Sequence, residues 1–343
     1  MVPAGEELEG VLRRHRAFWD MEEVDEPLLS VGVYNPLQPR APFRMAGGAL
    51  VGEGDLLAPE GLTAEVLAAQ SGQPSVLVED AFIQEAGPYD LCWTEAIAGC
   101  PLYWRTGHVW AEPCLADLDQ AERLRLAPGN PWLERLVGTG RILAERAQGR
   151  YPVTQPLLRG PIDIAAAALG DEPLCWALVD DPDRLTKVLA VCTDTFIGVA
   201  KAWEGVIPRF AQGCCLFGIW APGTAVRTQC DNAALMSPQT YRDFLVPCDE
   251  RICAAFDYPL IHTHSCFIAM IAEVLLEARG LRAIQVSLDY PGGPSIAQLL
   301  PAFQKVNRRM PLIITGGIAE DELELLLDRL SPRGLCLQVQ IHE

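Results

Sequence analysis

From residue 150 onward, short apolar runs alternate with helix-like stretches at a regular spacing, the signature of repeated βα units. The runs are Tyr151 to Leu157, Cys214 to Trp220, Pro259 to His264, Ile284 to Asp289, Leu312 to Thr315 and Leu335 to Gln340, and each except the last leads into a loop and a helix. Two earlier runs, Leu28 to Tyr34 and Val76 to Ile83, bring the total to eight. Eight predicts an α/β chain closed as a (β/α)8 TIM barrel. An open doubly wound sheet is the alternative, but its glycine-rich phosphate turn is missing, since Gly52-Glu-Gly54 runs on into Asp-Leu-Leu57 with no third glycine. Between the runs the helices are well marked. Ser237-Pro-Gln-Thr240 reads as an N-cap followed by proline at the first helical position, leading into Tyr241 to Phe256. Ala319 to Leu330 is amphipathic and ends at Ser-Pro-Arg-Gly334. The tryptophan-rich stretch 90–147 reads as a long insertion after the second strand, over the barrel mouth, within a single domain spanning 1–343.

Composition narrows the picture further. Half of the residues are hydrophobic and 21 % are charged, which excludes disorder and fits strands covered on both faces by helices. A net charge of −18 repels phosphate backbones and anionic lipid, so nucleic acid and membranes are not expected partners. The first ten residues lack the basic and apolar regions of a secretory signal, and no apolar run reaches the ~18 residues of a transmembrane helix. A cytoplasmic protein is expected. Its 12 cysteines are scattered without a Cys-x-x-Cys pair, which reads as reduced core residues rather than a disulfide scaffold.

The chemistry is expected at the C-terminal ends of the strands, where barrels of this kind build their sites. The residues there are Tyr34 and Asn35, Glu85, Gln155, Trp220, His262 and His264, Asp289 and Tyr290, Thr315, and Gln338 and Gln340. The histidines stand out. Only 5 occur in the chain, and two of them lie two residues apart in Pro259-Leu-Ile-His-Thr-His-Ser-Cys266. On a strand, i and i+2 share a face, so both imidazoles converge on one spot, with Cys266 joining them if the backbone stays extended. That is a metal-site geometry; paired histidines that only hydrogen-bond are the bland alternative. Asp289, ahead of Pro291-Gly-Gly, reads equally as a loop cap. Trp93, beside Glu95, and Trp220 are candidate walls of an apolar cleft, against the ordinary reading of tryptophan as core.

Several motifs together resemble the uroporphyrinogen decarboxylase superfamily over 25–343: Glu95-Ala-Ile-Ala-Gly-Cys100, Gly107-His-Val-Trp-Ala-Glu112, Asp231-Asn-Ala-Ala-Leu-Met-Ser-Pro238 with Tyr241 and Phe244-Leu-Val-Pro247, and His262-Thr-His264. The resemblance implies one of two activities. The decarboxylases anchor carboxylates with two arginines at i, i+4, a spacing matched here by Arg40 and Arg44, but Ala-Pro-Phe stands where the family has Gln-Ala-Gly. The family's second-strand aspartate and its later tyrosine also lack counterparts. The methyltransferases hold zinc with a His-x-Cys pair on the fifth strand and a cysteine after the eighth, and pass methyl groups to cobalamin proteins.

This second pattern implies metal ligation by His262, His264 and Cys266, with zinc as cofactor and cobalamin on a partner protein. Cys336 opens the eighth run and so belongs near the bottom of the barrel, leaving Asp289, Glu95 and His342 as candidates for a further ligand. Asp289 and Glu95 are the expected catalytic acids, and Trp93, Trp220, Arg40, Arg44, Tyr290 and Gln338 the expected substrate contacts. Methyl transfer leads; a metal-free decarboxylase of uroporphyrinogen or a smaller polycarboxylate, and a ligand-binding barrel without turnover, remain the alternatives.

Overall fold

Six strands form one parallel sheet in a computed structural model of the chain, which describes residues 5–33, 44–72, 76–83 and 87–342. They are β1 (Leu28–Val33), β2 (Ala225–Gln229), β3 (Tyr258–His264), β4 (Ala283–Leu288), β5 (Leu312–Ile318) and β6 (Leu335–Ile341), in the spatial order β1-β6-β5-β4-β3-β2. Helices α2 (Ser265–Glu277), α3 (Ile296–Asn307) and α4 (Glu320–Arg329) connect β3 to β6, the βα repeat that the alternating pattern predicts. A capping box at Ser295 and Gln298 starts α3, satisfying amides that a helix otherwise leaves open.

Five of the eight expected strands are in this sheet. The other three are not sheet strands, for visible reasons. The stretch from Tyr151 to Leu157 carries Pro152 and Pro156 and forms no strand, since proline cannot donate to a ladder. The runs at Val76 to Ile83 and Cys214 to Trp220 fold back as two-stranded hairpins, Val76–Val78 with Ala81–Ile83 and Cys214–Leu216 with Ile219–Ala221. Phe217 and Gly218 turn the second one at φ 46° and 88°, the pair of left-handed residues that a tight hairpin turn requires. Conversely β2 was not expected, because its Arg227, Thr228 and Gln229 break the apolar pattern. The helix expected over Tyr241 to Phe256 forms as two pieces, Pro238–Phe244 and Val246–Cys253, with Pro247 in the first turn of the second.

By its internal contacts the chain divides into two compact units. One comprises 1–36, 75–83 and 211–343 and holds the sheet; the other comprises 37–74 and 84–210. The second therefore takes in far more than the stretch 90–147. It is mainly helical, with Pro131–Ala147, Pro161–Leu169, Asp171–Asp180 and Pro182–Glu204 as its main helices and a β-hairpin at Leu102–Arg105 and His108–Ala111.

In the first unit one face of the sheet is sorted by depth. Register places Leu28, Cys336, Ile313, Gln285, His262 and Gln229 in one row across the sheet, and Ser30, Gln338, Thr315, Ser287 and His264 in the next row toward the strand C-termini. The N-terminal end is apolar: Leu28, Ala225, Leu260, Ala283, Ile313 and Cys336 pack with Leu216, Ile219 and Ala221 of the hairpin and with Phe18 and Trp19 of α1 (Glu6–Trp19). Helix α1 buries Val11, Leu12, His15, Phe18 and Trp19, the i, i+3, i+4 stripe of an amphipathic helix. His15 fastens it. Its Nε2 donates to the Asp80 carbonyl at 2.6 Å and its Nδ1 accepts from the Trp220 amide at 2.9 Å, and burial keeps the ring neutral by lowering its pKa.

The edge strand β1 is closed off by the turn of the first hairpin. Carboxylates of Asp80 and Glu79 accept from the Leu29 and Val31 amides at 3.2 and 3.0 Å, covering an edge that would otherwise invite a foreign strand. Among the described residues no helix is long and apolar enough to cross a membrane.

Candidate functional site

Strand β3 ends in the histidine pair. Register sets His262 between Gln229 on β2 and Gln285 on β4, so the ring is buried between two amide side chains at 8 % exposure. Its Nδ1 donates to Gln285 Oε1 at 2.9 Å, and the same oxygen accepts from Arg227 Nε at 2.7 Å. Burial first, and then the Arg227 charge, pull the pKa of His262 down to about 3. The ring is neutral, and the Nδ1 bond leaves the Nε2 lone pair as its donor atom.

His264, one pleat further out, occupies an acidic setting. Its Nδ1 lies 2.6 Å from Asp289 Oδ1 and its Nε2 lies 3.6 Å from Asp231 Oδ1. Asp231 and then Asp289 stabilise the imidazolium and lift its pKa to about 9 against the opposing effect of burial. The two rings are 5.2 Å apart, edge to face at 83°. They do sit together on one face.

Asp289, just past β4, is the organiser of this end. Its Oδ2 accepts from Ser265 Oγ at 2.9 Å and from the Cys266 amide at 3.1 Å, while its own amide donates to Ser265 Oγ at 3.0 Å. Burial works to raise its pKa, but the hydrogen bonds from His264, Ser265 and Cys266 prevail and hold it below the ordinary carboxylate range. Asp289 therefore caps the first turn of α2 and fixes the His264 ring at once.

A polar chain continues along the sheet. Arg227 Nη1 donates to Gln229 Oε1 at 2.8 Å, Gln229 Nε2 donates to Asp231 Oδ2 at 2.9 Å, and the guanidinium lies over the Phe217 ring at 4.3 Å. Gln229, Asp231 and Gln285 are not singled out as ligands or contacts on the pattern alone. The signal was present in the polar residues at alternate positions 227, 229 and 231, which share a face on an extended chain.

The remaining candidates scatter. Cys266 is exposed in the first turn of α2, beyond the end of the strand, so it does not extend the i, i+2 row of the histidines. Among the described residues no three His, Cys, Asp or Glu side chains converge closely enough to hold a metal ion. Cys336 lies in the apolar end of the sheet, where burial raises its thiol pKa. Tyr290 stacks on His342 with ring centroids 3.9 Å apart. Gln338 reaches Gly218 of the hairpin turn, and its Nε2 is buried without a hydrogen-bond partner among the described residues.

Trp220 does not line the polar end. It is fully buried, its amide and carbonyl bonded to His15 and Trp19 of α1, because its run folds as a hairpin against the apolar end of the sheet. In the second unit Trp93 is likewise fully buried, edge-on to Trp132 at 6.3 Å with its Nε1 donating to the Tyr89 carbonyl, which leaves it no open surface for a cleft. Glu95, 1 % exposed, is paired with Arg159 at 3.0 Å and accepts from Thr94 Oγ1. Arg44 is exposed, its Nη1 donating to the Gly48 carbonyl of its own turn. Arg40, Tyr34, Asn35 and Glu85 lie outside the described residues.

No family model matches the chain. Over 197 residues it is 25 % identical to a methylated-thiol–coenzyme M methyltransferase of Methanosarcina mazei, a match covering 53 % of this chain and 49 % of that protein. The chain thus aligns with about half the length of this curated relative. A solved methyltransferase structure from Methanosarcina mazei superposes with a TM-score of 0.61 at 17 % identity, covering 97 % of this chain and 93 % of that one. What the chain is similar to, in sequence and in fold, is a methyltransferase, in agreement with the resemblance carried by its motifs.

Proposed function

We propose that this chain is a zinc-dependent methyltransferase of the cytoplasm, with a small methylated compound as donor and a corrinoid protein as partner. The observation that carries the reading is the histidine pair at the C-terminal end of β3, each ring held by its Nδ1 on an oxygen of a neighbouring side chain. A metal-binding histidine characteristically donates its other ring nitrogen in this way, which turns Nε2 outward as the ligand atom.

Among the described residues no three donors converge on one point, but the donor types fit a zinc ion, which would displace the proton that Asp231 and Asp289 favour on His264. Two imidazoles and a carboxylate are a recognised catalytic set that keeps a coordination position open. His262 and His264 would hold the ion. Asp231, 3.6 Å from His264 Nε2, is the better third ligand, with exposed Cys266 as its competitor. When bound, zinc acts as a Lewis acid that lowers the pKa of a coordinated thiol or water. The chain's own residues do the rest: Gln285 and Asp289 orient the rings, and Arg227 and Gln229 keep Asp231 aimed at the pair. Asp289 is thus a positioning residue, and Glu95 with Arg159 braces the second unit.

The reading takes residues 1–343 as one enzyme and its sheet as a (β/α)8 barrel. The two hairpins support closure. The first is bonded to β1 through Asp80 N to the Leu29 carbonyl, and Phe82 N reaches the Gly218 carbonyl of the second at 3.1 Å, a run of contacts from the edge strand to the second hairpin that fits a closed barrel. The match to a methylated-thiol methyltransferase supports a methyl group on sulfur as the donor.

Metal analysis of untagged protein tests the proposal. One zinc per chain is expected, lost in His262→Ala and His264→Ala, and lost in Asp231→Asn but retained in Cys266→Ser. Methylation of a reduced corrinoid from methylated thiols, followed by its absorbance, tests the activity. Zinc at trace level, or full occupancy in His262→Ala, refutes the reading.

A further inference from the structure

We propose that Cys100 and Cys114, in the second unit, form a dithiol that closes reversibly to a disulfide by exchange with a low-molecular-weight disulfide. Their sulfur atoms are 3.6 Å apart, although 14 positions separate them in sequence. The pair is independent of the histidine site and of the proposed methyl transfer.

The backbone brings the two together from both sides. Thr106 and Gly107, both left-handed at φ 50° and 79°, make the tight turn of the hairpin and set the register Leu102↔Ala111. The pairing runs one step further, with Glu112 N donating to the Pro101 carbonyl at 2.9 Å, so the chain enters at Cys100 beside its exit at Cys114. Each end is then anchored. Cys100 follows the left-handed Gly99 that caps helix Trp93–Ala98, and its amide donates to the Glu95 carbonyl at 2.9 Å. The Cys114 amide donates to the Ala168 carbonyl at 3.0 Å. A disulfide needs sulfurs ~2.05 Å apart, a closure of roughly 1.6 Å that side-chain rotation and small backbone adjustments can supply.

The two thiols are unequal in the way that exchange chemistry uses. Cys100 is 2 % exposed, whereas Cys114 is half-buried. One S–H···S hydrogen bond joins them; that bond and then burial raise the pKa of Cys100, and the same bond lowers that of the more open Cys114. Cys114 is therefore the attacking group. Its thiolate attacks one sulfur of the small disulfide RSSR; the RS–SR bond breaks, and one RS⁻ departs and takes up a proton. Cys100 then gives up its proton to solvent and attacks Cys114 Sγ, expelling the second RS⁻. The sum is two protein thiols plus RSSR giving one protein disulfide plus two RSH, and excess RSH reverses it. Cys92, at the start of the helix that leads to Cys100, is unsuited to this role. Its thiol donates to the Val109 carbonyl, and burial pushes its pKa up to about 12.

The test equilibrates the full chain with oxidised and reduced glutathione at several ratios, quenches it with an alkylating reagent, and maps peptides without reduction. The expected product is a single internal cross-link joining Cys100 to Cys114, restored to two free thiols by excess reduced glutathione. Cys100→Ser should stop at a stable glutathione adduct on Cys114, and Cys114→Ser should give neither cross-link nor adduct on Cys100. Full alkylation of both residues in the folded chain overturns the proposal, as does a cross-link from Cys100 to Cys192, the other buried thiol close enough to act on Cys100. Because the wild-type map decides these outcomes alone, a variant that fails to fold leaves the test intact.

Discussion

Asp249 carries a pH dependence that can be worked from its surroundings. It lies on helix Val246–Cys253 at 1 % exposure, its Oδ2 accepts from the fully buried Tyr241 hydroxyl at 2.9 Å, and its Oδ1 is buried without a hydrogen-bond partner among the described residues. Removal from water dominates, and the carboxyl pKa rises from 3.8 to about 7 even though the Tyr241 bond opposes the shift. Below about pH 4 both folded and unfolded chains hold this proton, so the group costs nothing. Between about pH 4 and 7 the unfolded chain ionises while the folded chain keeps the proton, and stability falls as pH rises. Above about pH 7 both are ionised and the penalty is complete. Roughly three pKa units at ~1.4 kcal/mol each put it at about 4 kcal/mol. Asp249→Asn keeps the shape and the Tyr241 bond but cannot ionise. Any cost of its amide is independent of pH. Urea unfolding of both chains from pH 4 to 8 isolates the effect, because every other titrating group cancels in the difference. The variant should gain about 3–4 kcal/mol on the wild type across that window. Parallel curves would refute the reasoning, and Tyr241→Phe, which removes the one bond favouring the carboxylate, should move the midpoint to higher pH.

Other consequences follow from the same contacts. Gln285→Leu releases His262 Nδ1 and should weaken zinc retention ~10–100-fold in chelator competition; unchanged affinity would separate Gln285 from the metal site. Glu95→Gln removes the charge facing Arg159 and should cost about 1.5–3 kcal/mol in denaturant unfolding with zinc content unchanged; intact stability with lost activity would instead make Glu95 catalytic. Gly218→Ala adds a Cβ at φ 88° directly against the Gln338 amide and should cost about 2 kcal/mol or more. In a double-mutant cycle Gln338→Ala should recover the steric part but not the backbone part, and purely additive costs would show that the contact is absent.

The pattern of apolar runs disclosed β1 and the four C-terminal strands because each is a mainly apolar stretch of strand length, and β3, β4 and β5 each lead into a helix. It could not separate a sheet strand from a hairpin arm of the same composition, and Cys214 to Trp220 and Val76 to Ile83 were therefore counted as strands. Tyr151 to Leu157 was different, since Pro152 and Pro156 already argued against a ladder there. In the parallel sheet the strand missed, β2, was hidden by Arg227 and Gln229, the residues that make it part of the site.

That coincidence has a physical cause. Rows of the sheet near the strand N-termini carry Leu28, Ala283, Ile313 and Cys336 and pack as core, whereas the C-terminal rows carry His264, Thr315, Gln338 and Asp289. A strand whose inner positions lie mostly in the polar rows loses the alternation by which strands are recognised. His262 and His264 escaped this because Leu260, Ile261 and Pro259 keep β3 apolar before it reaches the site. Their partners could not be read in the same way. Asp231, Gln285 and Asp289 meet the histidines across 23 to 33 positions of chain, and only the register of the parallel strands brings them beside the rings. Strand register thus decides whether the pair has the geometry that the proposed site needs: a slip of one residue in β4 would turn Gln285 to the opposite face and leave His262 without the bond that aims its Nε2.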